Sequence, residues 1–190
     1  MKPKLTCLIL LLLWAVASQA AELPVKLDPA GFATTLSQRG PTLIAGQPTT
    51  AGLLRAKQAG VTAVISLRTA EESKALAFDE AAQAQANGLQ YYNIPLGDDA
   101  SFSPAAVQQF IDLYTQHEGK VLLHCHSARR ASYLWTAFLV KHEGLDLARA
   151  QQHAAAINLG TSPIEGLLGR KLQLEYVEKP PPQPTKPIEF

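Results

Sequence analysis

The sequence is short of the features that mark several protein classes. Two cysteines in 190 residues are too few for a disulfide framework. Neither charge is in excess. Seventeen Lys and Arg stand against sixteen Asp and Glu, a formal net charge of +1, so there is no basic footprint for nucleic acid. No internal repeat is present. What the chain does have is 47% apolar and 17% charged residues, the balance of a globular protein with a real core. Its length leaves room for one ordinary domain.

The two ends read as something other than fold. Lys2 and Lys4 make a positive start, Leu5 to Val16 an apolar run broken only by Thr6 and Cys7, and Ser18-Gln19-Ala20 a small-residue cleavage pattern. Residues 1–20 are therefore expected to be a secretory signal rather than a membrane anchor, because the run is too short to span comfortably and nothing basic follows it. That predicts a periplasmic protein with no stable membrane insertion after cleavage. Removing the segment takes two lysines and one cysteine, leaving a net charge of −1 and Cys125 alone. A lone thiol in an oxidising compartment is either inert or reactive. Residues 179–190 hold five prolines in twelve and are expected to form an extended tail. The domain is expected between them, over residues 21–178.

Between the ends, strand and helix patterns alternate. Thr42–Ala45, Val61–Leu67, Gln90–Ile94 and Val121–His124 read as strands, Val61–Leu67 nearly continuous in apolar character and Val121–His124 buried. Helices are predicted over Thr50–Ala59, Glu71–Ala86, Ser103–His117, Arg130–Lys141, Asp146–Ile157 and Pro163–Lys171. This order implies an α/β fold, a mostly parallel central sheet flanked by helices. Right-handed crossovers then bring the turn after Leu67, the loop after Pro95 and the loop after His124 to one edge, where ligands bind in such sheets.

The segment Val121-Leu-Leu-His124-Cys125-His126-Ser127-Ala128-Arg129-Arg130-Ala131-Ser132 reads as strand, short loop and helix. Cys125 ends the strand and Arg130 opens the helix. Backbone N–H groups of such a loop and helix start, from His126, Ser127, Ala128 and Arg129, can surround an oxyanion and lower the thiol pKa. An arginine fork can grip two oxygens of the same anion. A thiolate there can attack phosphorus or sulfur. Arg129 stands beside Arg130, and spacing favours Arg130 as the anion ligand. His124 is placed to orient the loop. Ser127 or Ser132 could support the leaving thiolate, or Ser132 could simply start the helix. Arg68, at the end of its strand, either adds positive potential or pairs with Glu71 or Glu72. His124 and His126 flank the cysteine, but no other residue supplies metal-ligand spacing, so neither metal nor cofactor is expected.

His124-Cys125, four residues, then Arg130 resembles the signature of the cysteine-dependent tyrosine and dual-specificity phosphatases, which usually place five residues in that gap. The shorter loop is similar to the beta-lactamase hydrolase-like phosphatase-like family. Ala45-Gly46-Gln47-Pro48, Ala59-Gly60-Val61, Val64-Ile65-Ser66-Leu67-Arg68 and Ile94-Pro95 match that family in order. The resemblance implies a compact tyrosine phosphatase-like fold of dual-specificity size, with Cys125 as nucleophile and Arg130 as phosphate binder. It also implies a general acid three residues after Pro95, at Asp98, with Asp99 as the alternative. One departure is Ala128, where the loop's usual glycine stands; a positive φ there would strain an alanine.

The implied activity is hydrolysis of phosphomonoesters, either phosphotyrosine in a phosphoprotein or small phosphate esters, through a phosphocysteine. A rhodanese-like sulfurtransferase using a Cys125 persulfide, and a catalytically weak phosphate-binding module, are the alternatives.

Overall fold

The computed structural model describes residues 22–158 and 163–172. The secretory signal expected over residues 1–20 and the extended tail expected over residues 179–190 lie outside the described residues. Six strands form one sheet: β1 (Val25–Leu27), β2 (Leu36–Arg39), β3 (Thr42–Ala45), β4 (Ala63–Ser66), β5 (Gln90–Asn93) and β6 (Val121–His124). Their order is β1-β2-β3-β6-β4-β5. The first two pairings are antiparallel, and β3, β6, β4 and β5 run parallel.

Strands β3, β4 and β6 are buried along their whole length because both of their faces are covered, while β5, Gln-Tyr-Tyr-Asn at the sheet edge, is partly exposed. Period-two alternation divides their side chains between two cores. Ile44, Ala63, Ile65, Val121 and Leu123 face one core, with Phe110, Trp135 and Phe138 packed over them. Leu43, Ala45, Val64 and Leu122 face the other, under Leu53, Ala56 and Ala84.

Among the described residues the helices are α1 (Thr50–Gln58), α2 (Ala70–Lys74), α3 (Glu80–Ala86), α4 (Pro104–Gln116), α5 (Arg129–Lys141), α6 (Leu147–Asn158) and α7 (Ile164–Leu168). Five starts carry a capping side chain: Thr49, Thr69, Asp79 and Ser103 each accept a first-turn N–H, and Asp146 Oδ1 accepts from Arg149 at 2.8 Å. Helix α5, which starts after Ala128, and α7, which starts after Pro163, have no side-chain cap.

Two sequence expectations need correction. The run Glu71–Ala86 is two helices, because Asp79 caps a second start on the Ala82 N–H. The antiparallel β1–β2 arm was not expected, since Leu-Ser-Gln-Arg at 36–39 lacks strand composition. Its place is set by pairing with β3, Leu36 opposite Ala45 and Arg39 opposite Thr42.

Candidate active site

The four parallel strands end together at Ala45, Ser66, Asn93 and His124. Cys125 follows His124 and is 1% exposed. Its loop is stitched to the neighbouring strand ends. The Leu67 N–H donates to the His124 carbonyl at 2.9 Å, and the Gln47 N–H to the His126 carbonyl at 3.0 Å. Ser127 bridges Gly46. A side chain at Gly46 would meet Thr34 Oγ1 and the His126 carbonyl, so glycine is what lets the loop approach this closely.

Ala128 then turns the chain at φ 66°, in the left-handed region. This is the strain expected from the missing glycine, and it aims the start of α5 at the loop. The first N–H groups of α5 have no acceptor within the helix, and the first helical bond runs from Ser132 to the Ala128 carbonyl at 2.9 Å. With no capping side chain, that end of the helix offers its N–H groups and positive dipole end to an anion.

Arg130, half-buried, is fixed by four bonds. Its Nη1 donates to the carbonyls of Leu67 at 3.1 Å and Leu96 at 2.8 Å and to Glu72 Oε2 at 2.7 Å, and its Nη2 donates to Glu72 Oε1 at 2.6 Å. One guanidinium thus ties together the ends of two strands and helix α2. The Arg130 hydrogen bonds pull the Glu72 carboxyl down to about 2, against the opposing effect of burial. Burial works against the charge on Arg130, but the Glu72 bonds and the nearby Cys125 sulfur outweigh it and hold its pKa above the usual value. Arg129 is exposed at the helix start and contributes to the field at Tyr133.

The structure brings Cys125 and Arg130 together and leaves Arg129 at the surface. Arg68 is buried at 6% exposure, and it does not pair with a glutamate carboxylate. Its Nη1 donates to Gln47 Oε1 at 3.0 Å and its Nη2 to the Glu72 backbone carbonyl at 2.9 Å, because the Glu72 carboxylate is already taken by Arg130. The Ser132 hydroxyl donates to the Arg129 carbonyl at 2.8 Å and shares with that of Asn158 at 3.1 Å. Its one proton is spent on the helix rather than on the thiol. The Ser127 carbonyl accepts from Asn158 Nδ2, which pins the loop to α6.

Asp98 is exposed on the loop after β5. Its Oδ1 accepts from the Ser101 N–H at 2.9 Å and caps a single 3-10 turn, Asp99–Ser101. The loop sits beside α2, where a side chain at Gly97 would meet Thr69 Cγ2 at 2.6 Å. His126 is exposed while His124 is fully buried, so the two rings do not converge. No helix among the described residues is long and apolar enough to cross a membrane.

Two residues escaped sequence reasoning. Glu80 is 4% exposed, an unusual place for a carboxylate. Its Oε1 accepts from Gln47 Nε2 at 2.6 Å and lies 3.3 Å from His124 Nε2, and its Oε2 accepts from the Tyr91 hydroxyl at 3.1 Å. Burial pushes the His124 ring below its usual pKa, with Glu80 and the Cys125 backbone working the other way. Burial raises Tyr91 to about 12. In sequence, Glu80 is one more acid at a helix start, and Gln47 only part of a family motif.

The chain is similar to known proteins in sequence and fold. A profile of the family described as beta-lactamase hydrolase-like protein, phosphatase-like domain, matches residues 38–140. A search of curated proteins found no match. Among solved structures, a candidate phosphatase of the DUF442 group from Shewanella putrefaciens CN-32 is 30% identical over 70% of this chain and 88% of its own, with a TM-score of 0.55. Tk-PTP in its active form is 20% identical over 70% of this chain and 94% of its own, TM-score 0.56. P. aeruginosa TpbA, solved in complex with pTyr, is 17% identical over 77% of this chain and 93% of its own, TM-score 0.53. The last two show the shared tyrosine phosphatase-like fold.

Proposed function

The chain belongs to the beta-lactamase hydrolase-like, phosphatase-like family, and from that premise we propose that it is a cysteine-dependent phosphatase acting on phosphomonoesters through a phosphocysteine. The observation that carries this reading is the Arg130 guanidinium, clamped by Glu72 and the carbonyls of Leu67 and Leu96 beside the buried Cys125. Of its five N–H donors, those bonds occupy both on Nη1 and one on Nη2. The opposite edge, Nε–H and the second Nη2–H, is the fork that would meet two phosphate oxygens. The loop N–H groups and the uncapped start of α5 would meet the rest.

In the first step the Cys125 thiolate attacks phosphorus. The S–P bond forms as the P–O bond to the leaving group breaks, and Asp98 gives its proton to the departing oxygen. In the second step water attacks phosphorus, the S–P bond breaks, the thiolate leaves and the water proton passes to Asp98. Phosphotyrosine or a small phosphate ester fits this chemistry. The test is hydrolysis of p-nitrophenyl phosphate by the reduced protein beside Cys125→Ser. Turnover is expected in the first, with a loss of roughly 10⁴-fold or more in the second. Equal turnover in both would remove Cys125 from the reaction.

One observation favours a second reading. The Asp98 carboxylate is held within its own exposed turn, and a sulfurtransferase needs no acid. There the thiolate would attack the outer sulfur of thiosulfate, form an S–S bond and release sulfite. Thiosulfate turnover that survives Asp98→Asn, with no phosphatase activity, would establish that reading instead. The Lys2/Lys4 start, the apolar run and the small-residue pattern of residues 1–20 support a secretory leader and a periplasmic location, which cell fractionation of the full-length chain tests: retention in the cytoplasm would refute it.

A further inference from the structure

The bonds at this edge form a chain of side chains that starts at the anion ligand and ends at the nucleophile. Arg130 holds the Glu72 carboxylate, and the Glu72 carbonyl accepts from Arg68. Arg68 donates to Gln47, Gln47 donates to Glu80, and Glu80 lies against His124, the residue before Cys125. Four segments meet in it: Gln47, Arg68–Glu72, Glu80 and His124–Arg130. Such a buried polar network is costly unless its members are satisfied, yet neither nitrogen of the fully buried His124 ring has a well-aligned hydrogen bond. The Glu80 carboxylate is the charged group that Nε2 faces.

We propose that Glu80 is a positioning residue for the nucleophile. It holds the His124 ring with the proton on Nε2, and through it fixes the backbone of Cys125 in the loop whose N–H groups stabilise the thiolate. The inference deepens the cysteine-dependent reading of this site and rests on it. The groups that face the pair are Gln47 after β3, Arg68 after β4, Tyr91 on β5 and Arg130 on α5; Arg130 and Tyr133 also face Cys125. With Glu72, which pairs with Arg130 and faces Arg68, the charges are two acids (Glu80 and Glu72) and two guanidiniums (Arg68 and Arg130), so this surround is neutral.

That balance supplies a test of sign. Glu80→Gln leaves a net positive surround, so a purely electrostatic role for Glu80 requires the Cys125 thiol to ionise more easily in the variant. Positioning requires the opposite. The experiment is the pH dependence of iodoacetamide alkylation of Cys125, read on the Cys125 peptide by mass spectrometry, which needs no enzymatic turnover. The expected result is a midpoint about one pH unit higher in Glu80→Gln, a tenfold loss of thiolate at fixed pH below it. An unchanged or lowered midpoint would overturn the proposal. Tyr91→Phe removes one donor to Glu80 and keeps the charge. Should Glu80→Gln not fold, it is expected to shift the midpoint the same way by a smaller amount, and no shift would overturn the proposal equally. A phosphatase assay on the same samples separates the two claims: absent turnover with the midpoint shifted removes the activity and leaves the positioning intact.

Discussion

Two loops leave the same sheet edge and are held in opposite ways. The Cys125 loop is buried, pinned by backbone bonds from Gln47 and Leu67, bridged to Gly46 and closed by a left-handed alanine. The Asp98 loop is exposed and satisfied mostly within itself, Asp98 to the Ser101 N–H and Ser101 Oγ back to the Asp98 carbonyl. The difference is what a two-part reaction asks for. Binding an anion gains from donors fixed in advance, since they need not reorganise as charge develops. A proton donor acts only once substrate is seated, and it can be carried by a loop that adjusts. The helix starts vary in the same way: among the described helices five are closed by side chains, while those at Ala128 and Pro163 have no side-chain cap, and the one at Ala128 lies beside the Cys125 loop.

The comparison breaks first at Asp98. Asp98→Asn is expected to lower phosphate-ester turnover by ~10²–10⁴, with little change in vanadate affinity, because only the adjustable loop is touched. Equal losses in both would mean that Asp98 belongs to the fixed half. Asp99→Asn is expected to change turnover little, and a larger loss there would move the acid by one residue.

A smaller effect concerns the fixed half. Glu72 is held down to about 2 by Arg130, below its value in an unfolded chain of roughly 4.3. A depressed carboxylate contributes stability that is complete above the unfolded value and is lost as pH falls through the folded one. Thermal melts of the protein and of Glu72→Gln should therefore differ at pH 6 and converge as pH falls from about 4.5 toward 2. A difference that persists at pH 2 would assign the effect to packing.

The smallest effect is at Ala128. Glycine relieves the left-handed strain, worth roughly 1–2 kcal/mol, against a backbone-entropy cost of roughly 0.5–1 kcal/mol. Ala128→Gly should raise stability by about 0.5–1 kcal/mol in denaturant melts without lowering anion affinity. A destabilised variant would show that the alanine methyl, packed in the core, matters more than the turn.

The fold was legible where one segment carries its own signal. The parallel strands could be read from short β-rich apolar runs, and Ser103-Pro104 and Thr49 mark helix starts by side-chain chemistry. The Cys125–Arg130 loop was legible because its parts are contiguous. What could not be read depends on partners far away in the chain. Leu36–Arg39 is a strand because β3 lies beside it. Arg68 turns to Gln47 because Arg130 has taken Glu72. Glu80 matters because a β-strand end 44 positions on brings His124 against it, and no spacing rule in a single sequence encodes that meeting.

The central claim is that Cys125 itself carries the phosphoryl group between the two loops. Its most direct test is mass spectrometry of the protein quenched in acid during turnover of p-nitrophenyl phosphate. The expected result is one phosphate on the Cys125 peptide, accumulating further in Asp98→Asn if that residue also serves the hydrolysis step. Turnover with phosphate on another residue, or with none on Cys125 in either protein, would contradict it.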